Sequence, residues 1–125
     1  MKKGKIDFIK YFFIIIITCE VLFIIYFLSP LLFKTPSILL EIKSDSMFPE
    51  LEVGDRVIIN GRNKDFDDLT GEVIAFYDPI RGKIIVHRVI KKEENCLVTR
   101  GDNSGTNDEF CPPIEYVLGK VLFSF

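Results

Sequence analysis

The chain has 125 residues, a net charge of −2 and a pI near 5.4. That length allows one small domain, and the mildly acidic balance excludes the basic face that nucleic-acid binding needs. Hydrophobic residues make up 48%, with 12 Phe and no Trp, and their uneven spread points to a part that lives in lipid.

The first element is apolar and continuous. From Tyr11 to Phe33 the only charged residue is Glu20. As a helix rising about 1.5 Å per residue, this run crosses a hydrocarbon core of about 30 Å. Lys2, Lys3, Lys5 and Lys10 precede it, opposed only by Asp7, so the positive-inside rule puts the N-terminus in the cytoplasm. The run is longer than the core of a cleaved signal peptide, and Ser29 to Phe33 makes a poor cleavage site. The pattern predicts a cytoplasmic tail over 1–10, a retained single-pass anchor over 11–33 and an extracytoplasmic domain over 34–125, at the plasma membrane. Glu20 near mid-membrane marks a polar partner or is tolerated as a protonated or snorkelling side chain; the residues leave both open.

Pro36 marks a short linker, and the pattern then changes to short runs cut by turns. Strands are predicted over 37–43, 56–60, 72–77, 83–89 and 96–100, with a last strand or pair over 116–125. Residues 61–70 are polar and read as a loop, and 91–95 as a charged turn. A long loop rich in Gly, Asn and Asp fills 101–113. Such spacing predicts an all-β domain, a small partly closed barrel or sandwich, with no soluble helix. Of the three cysteines, Cys19 sits in the anchor. Cys96 and Cys111 lie where a disulfide is permitted, and two buried thiols remain equally open. There is no CxxC and only one histidine, so neither a metal nor another cofactor is expected.

Three sites carry candidate chemistry. Ser46 follows the first predicted outer strand; a serine there is ordinarily a turn residue and attacks a carbonyl only beside a base. His87 is the sole imidazole and shares a face of its strand with Ile85 and Val89. Asp102 and Asp108 lie in the long loop. They read as solvated turn residues, or as a carboxylate that orients the histidine. Their spacing does not match a calcium-binding EF-hand loop.

Together these stretches resemble the type I signal peptidases. Ser44-Asp45-Ser46-Met47-Phe48-Pro49 is similar to the family's S-x-S-M-x-P box, with Asp45 in place of its usual glycine. Gly71 to Phe76 resembles the G-D-V-I/V-x-F strand, His87-Arg88-Val89 the H-R-V/I box, and Arg100 to Asp108 the K/R-G-D-N-x-x-x-x-D box. A histidine at 87 matches the archaeal and endoplasmic-reticulum branch rather than the bacterial Ser-Lys enzymes. The resemblance implies a small partly closed β-barrel or sandwich of signal-peptidase type and a serine endopeptidase that removes signal peptides after small residues. It assigns Ser46 as nucleophile, His87 as base, Asp108 as the orienting acid with Asp102 in support, and Ser44 with the Ser46 N–H as oxyanion hole. Ile42, Ile74 and Val86 are expected to line the pockets for small residues. Preprotein signal peptides and membrane lipid are the implied partners, with accessory subunits or a translocon left open. A single-substrate maturation peptidase of the same fold, or an inactive tethered β-domain that binds a peptide, are the rival readings.

Overall fold

The computed structural model describes residues 2–35, 38–62 and 65–125. Pro36, the expected linker, and Ser37, the first residue of the expected strand, lie outside the described residues, as do positions 63 and 64 of the expected polar loop.

Helix α1 spans Lys2–Phe33. Its segment Asp7–Phe33 has a mean hydropathy of 2.6, long and apolar enough to cross a membrane. Phe12, Ile17, Phe23 and Phe27 are exposed along it, as expected of a helix whose solvent is lipid. Its hydroxyls turn inward onto the helix backbone: Thr18 donates to the Ile14 carbonyl and Ser29 to the Tyr26 carbonyl. Lys34, at φ 49, ends the helix in the left-handed region. The Gly61 N–H then bonds the Phe33 carbonyl, fastening the helix end to the sheet domain that follows. A side chain at Gly61 would meet the Leu118 and Lys34 carbonyl oxygens, so the chain passes there only as glycine.

The domain after the helix is one open antiparallel sheet. Its strands are β1 (Leu39–Glu41), β2 (Arg56–Asn60), β3 (Val73–Asp78), β4 (Lys83–Lys92), β5 (Leu97–Arg100) and β6 (Val117–Ser124), in the order β1-β2-β6-β3-β4-β5. The all-β expectation holds. The C-terminal segment is a single strand, one of its two expected forms. Other details differ. β4 runs on to Lys92 through a register shift after Val89, so the expected charged turn is shorter. The polar loop contains a one-turn helix α2 (Phe66–Leu69), whose first turn Asp65 caps by accepting from the Asp67 N–H.

The alternation of β3 explains why it is central. Val73 and Ala75 face one core with Ile42, Met47, Leu51, Val57 and Ile59. Ile74 and Phe76 face a second core with Leu69, Ile85, Val89, Leu97 and Val117. With β4 and β6 on its two edges, β3 is covered on every side from Val73 to Phe76, and its apolar run is continuous there for that reason. Met47 and Leu51 are almost fully buried in the first core. They pin the loop that follows β1, and Ser46 sits next to the pin.

Cys96 and Cys111 form a disulfide, closing a loop of sequence separation 15. It ties the start of β5 to the end of the long loop, where the Leu97 N–H also bonds the Pro112 carbonyl. A loop of this size gains about 3 kcal/mol from closure in the chain-entropy account. Replacing both cysteines by serine is expected to remove about 2–4 kcal/mol of stability. Denaturant unfolding of the two forms checks it; equal midpoints would show that the bridge adds nothing.

Candidate active site

β4 carries His87 into the second core, between Ile85 and Val89, as the alternation predicts. Only 6% of it stays exposed. Register places Thr99 of β5 beside Val89, on the same face. The Asp108 N–H bonds the Thr99 carbonyl, which folds the long loop back over β5. The Asp108 carboxylate therefore reaches His87: Nδ1 lies 2.6 Å from Oδ2, and the Thr99 hydroxyl donates to the same oxygen at 2.7 Å. On the other side of the ring, Nε2 lies 3.0 Å from Ser46 Oγ. With Nδ1–H donating to Asp108, Nε2 is free to accept the Ser46 hydroxyl proton.

Burial pushes the Asp108 carboxyl up. The hydrogen bonds from His87 and Thr99, with the charges of a protonated His87 and of Arg81, outweigh it and hold the group below the usual value of 3.8. The sign for stability follows. Because the folded value lies below the unfolded one, Asp108 stabilises the fold above about pH 4 and loses that contribution as pH falls through its lowered value.

The structure separates the two loop carboxylates. Asp102 does not meet His87; it takes a two-pronged bond from Arg88, at 2.9 and 2.7 Å. Arg88 also donates to the Gly71 carbonyl. Hydrogen bonding to Asp102 raises the Arg88 guanidinium above its ordinary value. Arg88 lies on the face of β4 opposite His87, so this pair braces the loop's entry while Asp108 serves the ring.

Ser44 Oγ lies 3.1 Å from Ser46 Oγ, within reach of the same reaction centre. Lys34 alone has positive φ among the described non-glycine residues, so Asp45 stands in for the family's glycine without left-handed backbone. A cleft of about 480 Å³ opens at Ser46 and is lined by Ile42, Ser44, Met47, Ile84, Val86 and His87 among others. Ile42 and Val86 thus stand where the sequence reading put them. Ile74 does not. It is fully buried on the central strand, packed with Phe76 and Ile85, and lines no part of the cleft. It pairs with His87 in register, and β4 shields it from the cleft.

One wall of the cleft is an unpaired strand edge. β5 pairs with β4 only from Arg88 onward. The Val89 N–H bonds the Glu72 carbonyl across to β3. By strand alternation Ile85 and His87 also bond toward β3, so Ile84 and Val86 aim their backbone groups at the cleft.

Several residues at the site had no assigned role in the sequence reading. The signal for Thr99 is weak: a polar residue on the same strand face as apolar Leu97. Gly101 packs against Ser46, and Asn103 clamps the same segment: its N–H bonds the Ser46 carbonyl and its side-chain amide the Asp45 carbonyl. Arg81, in the β3–β4 turn, lies 3.8 Å from Asp108 Oδ1; no periodicity marks a turn residue for such a contact.

A serine, an imidazole and a buried carboxylate in hydrogen-bonded series, on an open antiparallel sheet, define a serine-peptidase class of protein. A family model described as Peptidase S24-like matches residues 24–122. The chain belongs to this family, and it is homologous to catalytic subunits of the signal peptidase complex. It is 36% identical over 81 residues to the signal peptidase complex catalytic subunit SEC11 of Colletotrichum graminicola, covering 60% of this chain and 46% of that protein. The corresponding subunit of Metarhizium robertsii is 34% identical over 80 residues, covering 59% of this chain and 45% of its own length. That of Schizosaccharomyces pombe is 29% identical over 85 residues, covering 52% and 45%. The chain spans about half the length of these curated relatives.

Proposed function

We propose that this protein is a membrane-anchored serine endopeptidase that removes signal peptides from preproteins by cutting after small residues. The observation that carries the reading is the series from Ser46 Oγ through His87 to Asp108, at 3.0 and 2.6 Å, opening on a cleft with an unpaired strand edge. Ser46 attacks the scissile carbonyl and passes its proton to His87. His87 then gives that proton to the leaving amine, and water releases the acyl group in a second half-reaction. Asp108 holds the ring and stabilises its charged form. The Ser46 N–H and the Ser44 hydroxyl receive the oxyanion.

The preprotein segment adds as an extended strand along Ile84 and Val86, and Ile42 and Val86 keep the pockets shallow. Helix α1 crosses the membrane once over 11–33, with 1–10 on the cytoplasmic side and 34–125 on the other. The lysine asymmetry supports that direction, and the disulfide fits an oxidising compartment. The plasma membrane expected from the sequence draws no support from the relatives; their printed names place them in a signal peptidase complex, which supports accessory subunits as partners.

Incubating the full chain in liposomes with a panel of unrelated preproteins tests the reading. Cleavage of several, each with a new N-terminus following a small residue, is expected. Cleavage of one alone would make it a dedicated maturation peptidase, and binding without cleavage would leave a peptide-binding domain.

A further inference from the structure

The mechanism uses one oxygen of Asp108 and leaves the other unassigned. Oδ2 receives both His87 and Thr99. Oδ1 faces the Arg81 guanidinium at 3.8 Å. Arg81 is itself held from behind, with Nε 3.6 Å from Asp78 Oδ2. Asp78 is 2% exposed and accepts the N–H groups of Ile80 and Arg81 through its other oxygen, which shapes the β3–β4 turn. A buried carboxylate without a nearby cation is costly, so Arg81 serves two acids from one half-exposed position at the cleft rim.

Resting on the catalytic reading of Ser46, His87 and Asp108, we infer that Arg81 is a positioning residue: it holds Asp108 by its second oxygen so that the first stays aimed at the ring. The fork of a guanidinium suits two separate carboxylates better than an ammonium does. Of the other charged groups near the site, Lys83 also lines the cleft, and Arg88, Lys43 and Glu41 are engaged elsewhere. Arg88 is committed to Asp102 across the sheet, and Lys43 pairs with Glu41 at 2.7 Å. Arg81 also keeps Asp108 charged as pH falls, because a neighbouring cation favours the ionised carboxylate. Without it, Asp108 takes up its proton at a higher pH and releases His87 earlier.

The test compares wild type, Arg81→Ala, Arg81→Lys and Ser46→Ala, all as full chains. Preprotein cleavage in liposomes is followed from acid to neutral pH. In detergent, the low-field Nδ1 proton of the only imidazole in the chain reports the bond to Asp108 independently of cleavage. Arg81→Ala is expected to slow cleavage about fivefold near neutral pH, as a half-exposed ion pair allows. The deficit should widen on the acid side, and the low-field signal should vanish at a higher pH than in wild type. Arg81→Lys should restore most of the pH profile. A rate lowered equally at every pH with an unchanged signal would mean that Arg81 only braces its turn, and would overturn the inference; so would no change in either. If Ser46→Ala cleaves as well as wild type, the peptidase reading fails instead, and the proton signal still decides whether Arg81 holds Asp108.

Discussion

Ser46→Ala is expected to lower preprotein cleavage about 10⁶-fold, to the level left by binding and oxyanion donors alone. The reason lies in the chain of dependence. The imidazole can take a proton only from a hydroxyl at 3.0 Å, and the Ser44 hydroxyl, next to it, belongs to the oxyanion side. His87→Ala should cost about as much, because a serine without its base is a weak nucleophile, and combining the two should add little. Asp108→Asn should cost less, about 10⁴-fold, since an amide can hold the ring in the wrong tautomer but cannot stabilise its charge. Asp102→Asn is the informative contrast. Asp102 meets Arg88 and not His87, so it should weaken the loop and leave the pH profile in place. Single-turnover rates on one preprotein check the set. An Asp102 variant that matched Asp108→Asn in both rate and profile would mean that the two carboxylates were assigned wrongly.

Much of this arrangement was legible in the sequence, for identifiable reasons. The N-terminal helix is legible because its apolar run is long and unbroken. The strand bearing His87 is legible because one face is core and the other half-exposed, so the period of two survives along β4. At Ile74 the same period cannot decide access. On a central strand both faces are buried, and alternation then says which core a side chain joins, not whether it reaches a cleft. The separate duties of Asp102 and Asp108 came from the family resemblance and not from the residue pattern. Both stand in one loop rich in turn formers, and what divides them is the bond from the Asp108 N–H to Thr99, a contact no local pattern encodes. Cys96 and Cys111 show the same limit, since their pairing depends on how the long loop closes. α2 was missed because one turn is too short to show helical periodicity; only Asp65 as a cap hinted at it.

The long loop is therefore a fitted part of the site. It is cross-linked to β5 by the disulfide, bonded to Ser46 through Asn103, braced on Arg88 through Asp102, and closed over the ring through Asp108. Four attachments, to β4, β5 and the segment after β1, fix one loop against both Ser46 and His87. The site is held by rigid neighbours on each side, which is what positioning a hydroxyl and an imidazole to within a few tenths of an ångström requires.

Gly101→Ala should break that fit with the addition of one carbon. A Cβ at 101 would stand 2.5 Å from the Ser46 carbonyl oxygen, 3.1 Å from His87 Nε2 and 3.2 Å from Ser46 Cβ. None of these can retreat freely. The Ser46 carbonyl is the acceptor for Asn103, Met47 next to it is buried, and the ring is held by Asp108. The clash must open the gap between Ser46 and His87, and a misplacement of about 1 Å at a reacting pair costs about 10²-fold in rate. Overpacking should also remove about 1–3 kcal/mol of stability. Ile42 and Val86 are not displaced, so the loss should fall on kcat with KM nearly unchanged. Gly105 is the control in the same loop: a Cβ there meets nothing within 4 Å, and Gly105→Ala should cleave like wild type. Steady-state kinetics and thermal unfolding of the two variants decide the matter. Equal activity at 101 and 105 would mean that the loop yields, and that the nucleophile is not held by the contact on which this geometry depends.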